Sequence, residues 1–99
     1  MTEEEFKEIL DAEETDTVEF KSWTNARNMK EIISLAVDEL IAFANTKGGT
    51  VYFGVEDKPI EVTGCDRNYD GQRIIEGIYD RTVPPLFTEI SDFEYQGKL

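Results

Sequence analysis

Apolar residues recur along the chain at two periods, and the switches between them divide it into seven elements. Thr2-Glu-Glu-Glu5 is a capping box, and it opens a short helix with Phe6, Ile9 and Leu10 on one face. Residues 11–16 are polar and read as a loop. "TVEFKSW", residues 17–23, alternates as a strand, with Val18 and Phe20 on one face and Glu19 and Lys21 on the other. After a loop at 24–28, Ile32, Ile33, Ala36, Val37, Leu40, Ile41 and Ala44 fall at helical spacing within Met29 to Ala44. Leu35 and Phe43 widen that stripe, so the helix is expected to be covered on more than one side. Gly48 and Gly49 end it, with Asn45 and Thr46 as capping residues.

Thr50 to Val55 is apolar on both faces, as a central strand would be. Gly54 is out of place there, because glycine weakens strands, and it predicts a bulge or a close approach. Asp57-Lys-Pro59 is a turn, and "IEVTG" is the return strand of a hairpin. Asp70 caps a helix from Gly71 to about Thr82 with Ile74, Ile75 and Ile78 inward, and Pro84-Pro85 stops it. Phe87 to Tyr95 is expected to be a strand. The order is helix, strand, helix, strand, strand, helix, strand. "FEYQGKL" then reads as a strand, a Gln-Gly turn and the start of a further strand, so the 99 residues are expected to be one domain at the N-terminal end of a longer protein.

Composition narrows the chemistry. Histidine is absent, which removes Ser-His-Asp and Cys-His nucleophile systems and every histidine-based zinc site. Cys65 is the only cysteine, so no internal disulfide forms. Acid–base or metal chemistry would fall to carboxylates, which favour hard cations such as Mg²⁺ or Mn²⁺. No apolar run reaches the roughly 20 residues that span a bilayer, and "MTEEEFKEIL" is no signal peptide. The expectation is a soluble, cytoplasmic protein. The net charge of −12 opposes simple nucleic-acid binding, but residues 1–20 hold nine acids and one base, whereas residues 21–81 hold ten acids and eight bases. A local basic surface outside the N-terminal segment fits that distribution.

No Walker, GxGxxG or zinc spacing occurs. What remains is a set of carboxylates, Glu14, Glu19 and Asp57, in a chain with 22 acids. Glu19 shares a strand face with Lys21, either as an ordinary ion pair or as a metal ligand beside a phosphate-binding ammonium. Asp57 either begins a turn or stands at a strand end as a functional group. Gly48 and Gly49 either only end the helix or also offer amides to a phosphate. Trp23 reads as packing more readily than as a base-stacking platform.

"VEFK" at 18–21, "AFANTKGGTVYFGVED" at 42–57 and "VTG" at 62–64 together resemble the Schlafen AlbA-type domain, a DNA-binding family found in prokaryotic regulators and Schlafen proteins. The resemblance implies an α+β fold, a mixed β-sheet with flanking helices, and nucleic acid as partner. In the members that cut RNA, the catalytic carboxylates correspond to Glu14, Glu19 and Asp57, which would hold Mg²⁺ or Mn²⁺. Those members carry basic surface and grip RNA with a paired lobe, whereas this chain is acidic and presents one lobe.

The first functional reading is therefore a DNA-binding module of a prokaryotic transcriptional regulator. Its phosphate contacts would be Lys21, Arg27, Lys30, Lys47 and Lys58, with the Gly48 and Gly49 amides. The rival is a metal-dependent endoribonuclease using Glu14, Glu19 and Asp57. The third reading is a homodimerisation or protein-interaction module.

Overall fold

A computed structural model describes residues 1–24, 26, 28–92 and 94–98. Helix α1 spans Glu3–Ala12, and its capping box is complete: the Glu5 amide donates to the Thr2 hydroxyl and the Thr2 amide to the Glu5 carboxylate, each at 3.1 Å. Strand β1 is Val18–Lys21, helix α2 is Met29–Ala44, strand β2 is Thr50–Phe53, and β3 and β4 are Val55–Asp57 and Ile60–Val62. Helix α3 is Gly71–Arg81, capped by the Asp70 carboxylate, which accepts from the Arg73 amide.

The domain is α+β, with three helices and two small sheets among the described residues. β1 and β2 pair in parallel, with Glu19 opposite Val51 and Lys21 opposite Phe53. α2 supplies the crossover that parallel neighbours require. β3 and β4 pair antiparallel as the expected hairpin. The single strand expected over 50–55 is thus two strands, and the reason is Gly54. Its φ of +92° turns the chain out of one sheet and into the other. A Cβ at this position would lie 2.9 Å from Cys65 Sγ and 3.0 Å from the Gly64 backbone, so a close approach does occupy the site.

The strand expected over 87–95 does not form among the described residues. Leu86, Thr88 and Ile90 are half-buried and Phe87, Glu89 and Ser91 exposed, which is strand alternation, but no neighbouring strand bonds to them. Only the Gln-Gly turn is as expected, closed by bonds between Tyr95 and Lys98.

Two apolar clusters hold the elements. Ile32, Ile33, Ala36 and Val37 of α2 pack on Ile74 and Ile78 of α3, with Trp23 and Phe53 at the margin. Trp23 stands edge-on to Phe53 and Tyr69, which is the packing role. Phe6, Phe20 and Val55 form the second cluster, ringed by Tyr52 and Tyr95, and dock α1 on the sheets. α2 is covered by α3 on one side and by β2 on another, as the width of its stripe predicts, but the expected stripe residues Ile41 and Ala44 at its C-terminal end are exposed.

Candidate functional site

β1 positions the first group. Its pleat places Glu19 and Lys21 on the same face, with the Lys21 ammonium 3.7 Å from a Glu19 oxygen. The same ammonium lies 3.2 Å from Glu39 of α2. Glu14 reaches in from the loop before β1, and its carboxylate accepts the Phe20 amide at 2.9 Å. That bond caps an N–H on the outer edge of β1 and so has a structural use of its own. Three carboxylates and one ammonium thus gather where β1 crosses α2.

Burial pushes the Glu19 carboxyl up, and the hydrogen bond it shares with Glu14 and the charges of Glu39 and Glu14 push it further. Lys21 opposes them, and the outcome is a pKa of about 7. For Lys21, burial acts downward, but the Glu39 bond and the charges of Glu39, Glu19 and Glu14 outweigh it and hold the ammonium above its ordinary range.

The sign for stability follows. A carboxyl whose folded pKa exceeds its unfolded value of 4.5 makes the folded state bind more protons, so stability falls as pH rises from about 4.5 to about 7. Side-chain exposure of 25% for Glu19 admits some screening water, and the expected loss is about 1–2 kcal/mol. Glu19→Gln should remove most of that slope and be at least as stable as the parent at pH 7.5. Urea unfolding at pH 5, 6, 7 and 8 reads both. An unchanged slope in the variant would assign it to other carboxylates.

Glu39 is a member of this cluster that the motifs do not single out. The signal was present: Ile32, Ala36, Glu39 and Phe43 are spaced 4, 3 and 4 apart, so Glu39 stands on the stripe that buries the other three. A carboxylate there needs a partner.

Asp57 is elsewhere. It ends β3 opposite Ile60, is exposed, and borders a shallow groove with Lys7, Asp11, Glu13 and Lys58 under α1. Its neighbour Glu56 turns inward and accepts from the Thr63 hydroxyl. The structure therefore brings Glu14 and Glu19 together and adds Glu39, with Asp57 at the hairpin turn. Among the described residues, no group of three or more acidic, cysteine or histidine side chains is arranged to hold a metal ion. Of the three carboxylates that the resemblance implies for Mg²⁺ or Mn²⁺, Glu14 and Glu19 stand together here.

The cations divide into two kinds. Lys21 is locked between glutamates. Lys30, Lys47 and Lys58 are exposed. Lys47 pairs with Asp16 at 3.6 Å, and both side chains are more than three-quarters exposed. Arg27 lies outside the described residues. Gly48 takes φ +85°, and its amide donates to the Phe43 carbonyl at 2.9 Å, so it is engaged in ending α2. Gly49 presses on the Phe43 ring, where a Cβ would come within 2.7 Å. Among the described residues, no helix is long and apolar enough to cross a membrane.

No solved structure matches the chain. Residues 14–99 match the family described as Schlafen, AlbA_2, a match that opens at Glu14 and takes in β1, the α2–β2 glycine turn and the β3–β4 hairpin. With that much of its length covered, this chain belongs to the Schlafen AlbA_2 family, which is associated with nucleic acids.

Proposed function

We propose that the domain binds nucleic acid through its phosphates, as the DNA-binding module of a prokaryotic, cytoplasmic transcriptional regulator. The observation that supports this most is the division among the lysines. Lys21 is held inside the fold, whereas Lys30, Lys47 and Lys58 project into solvent. The Lys47–Asp16 pair is exposed, and such pairs contribute only about 0–1 kcal/mol, so a phosphate can displace the carboxylate. Lys30 stands in the first turn of α2 and Lys47 just past the other end of this helix of roughly 24 Å, so each would meet a different phosphate. With three such contacts and a net charge of −12, binding is weak and strongly salt-dependent.

The test is retention of labelled duplex DNA and of structured RNA by the full chain across a sodium chloride series. Three phosphate contacts give a slope of log K against log salt of about −2 to −3. Lys47→Gln should weaken binding of every sequence alike and flatten the slope by about 1. Retention that ignores salt, or ignores Lys47→Gln, would sink the reading.

Cleavage of RNA is the second reading, favoured by the meeting of Glu14 and Glu19. Mn²⁺ in the same tubes, against EDTA and against Glu19→Gln, tests it. Cleavage lost in both controls would make the carboxylate cluster an active site. Sedimentation of the same samples reads self-association, for which Val83 and Phe87, exposed at 98% and 87%, are the surface to watch.

A further inference from the structure

We propose that residues 87–91 are a strap that closes on the free edge of β2 as its third strand. The β2 backbone pairs along one edge only among the described residues. The Thr50 amide donates to Thr17 and the Gly54 amide to Lys21, both on the β1 side. Amides alternate along a strand, so Tyr52 also faces β1, while Val51 and Phe53 face the opposite edge. On that edge the Phe53 carbonyl accepts the Cys65 thiol at 3.3 Å. The Val51 amide and carbonyl and the Phe53 amide have no partner among the described residues. An open edge of uncharged residues, Thr-Val-Tyr-Phe, is a template for another strand.

The candidate occupant lines the same cavity as that edge. Residues 86–91 alternate between half-buried and exposed, the pattern of a strand with one covered face, yet no ladder bonds satisfy them. Both ends are fixed. The Leu86 amide donates to the buried Thr82 hydroxyl at 2.7 Å, and Asp92 accepts the Tyr69 hydroxyl at 2.8 Å. Between these anchors, Thr88, Glu89 and Ile90 line a cavity of about 680 Å³ whose other wall includes Val51 and Phe53. The Thr88 hydroxyl is buried there without a hydrogen-bond partner. A strand edge without ladder partners and a segment without ladder bonds thus border one cavity, and closing it pairs the two. α3 sets the device: it holds Thr82 at its C-terminus, and Thr82 holds the strap.

Amide hydrogen exchange on the full chain tests the closure. Closed, Val51 and Phe53 exchange ~100-fold or more slower than an unstructured chain, alongside the Tyr52 control that pairs with β1 in either state. Backbone nuclear Overhauser contacts join Val51 to the strap. Thr88→Pro and Glu89→Pro separate the cause, because neighbouring amides point to opposite edges and only one of the two points at β2. One variant should release Val51 and Phe53 while Tyr52 stays slow, and the other should not. Fast exchange at Val51 and Phe53 in the parent chain overturns the proposal. So does protection that survives both variants, or protection that grows with protein concentration, which would assign the edge to a second copy. If a variant loses Tyr52 as well, it has unfolded, and the Overhauser contacts in the parent chain decide.

Discussion

Gly54→Ala is expected to cost the domain about 3–5 kcal/mol, a fall in Tm of about 15–30 °C for a chain of this length. Two costs coincide at this residue. The φ of +92° is strained for any residue with a Cβ, at about 1–3 kcal/mol. The Cβ would also meet Cys65 Sγ at 2.9 Å and the Gly64 carbonyl carbon and Cα at 3.0 and 3.1 Å. The thiol can rotate, but the Gly64 backbone is fixed, because its amide donates to the Gly54 carbonyl at 3.0 Å. Gly48→Ala is the control. Its φ is +85°, but nothing lies within 4 Å of the added Cβ, so it should lose only the conformational cost of about 1–3 kcal/mol. Urea unfolding of both variants measures the difference. Equal losses would show that conformation alone, and not the Gly64 approach, makes residue 54 a glycine.

Lys21→Met is expected to cost about 2–3 kcal/mol at pH 7.5. The ammonium is the positive member of a cluster otherwise made of Glu14, Glu19 and Glu39, and Lys21 and Glu39 are each only 26% exposed. Removing one partner of a fully buried pair costs about 3–5 kcal/mol, and the remaining exposure lowers that figure here. The methionine keeps the volume of the stem, so the loss reports charge rather than packing. Below pH 6 the cost should shrink, because Glu19 takes up its proton and one uncompensated charge disappears. In the parent protein stability falls with rising pH at the alkaline end too. A lysine whose folded pKa is raised stabilises below its unfolded pKa of 10.5 and loses that contribution as pH rises beyond it. A loss that does not vary between pH 5 and pH 8 would show that Lys21 acts through its stem alone.

These predictions separate two uses of lysine that sequence cannot distinguish. Lys21 and Lys47 both stand beside family motifs, and both look available for phosphate. Packing makes one a counter-ion within the fold and leaves the other in water. The acidic surroundings of Lys21 also explain why a chain with 22 acids tolerates three glutamates in one place: one carries a proton part of the time, and one caps a strand amide.

Features that depend on near neighbours along the chain are legible before any packing is known. Thr2 and Glu5 close their box within one turn, and Asp70 caps α3 by the same local geometry. The stripe on α2 predicts its two covered sides, and the alternation of "VEFK" places Glu19 beside Lys21. Gly54 announces a close approach, because no other residue would so weaken an apolar strand without a reason. The tertiary structure decided what crosses between elements. It split the run expected over 50–55 between two sheets, left residues 87–92 without ladder bonds, brought Glu39 to Lys21 and left Asp57 at a hairpin turn under α1. Periodicity specifies which way a side chain faces and carries no information about what stands opposite. Partners more than one turn or one hairpin away are chosen by how the helices and sheets bury their apolar faces, and the carboxylates follow where that packing takes them.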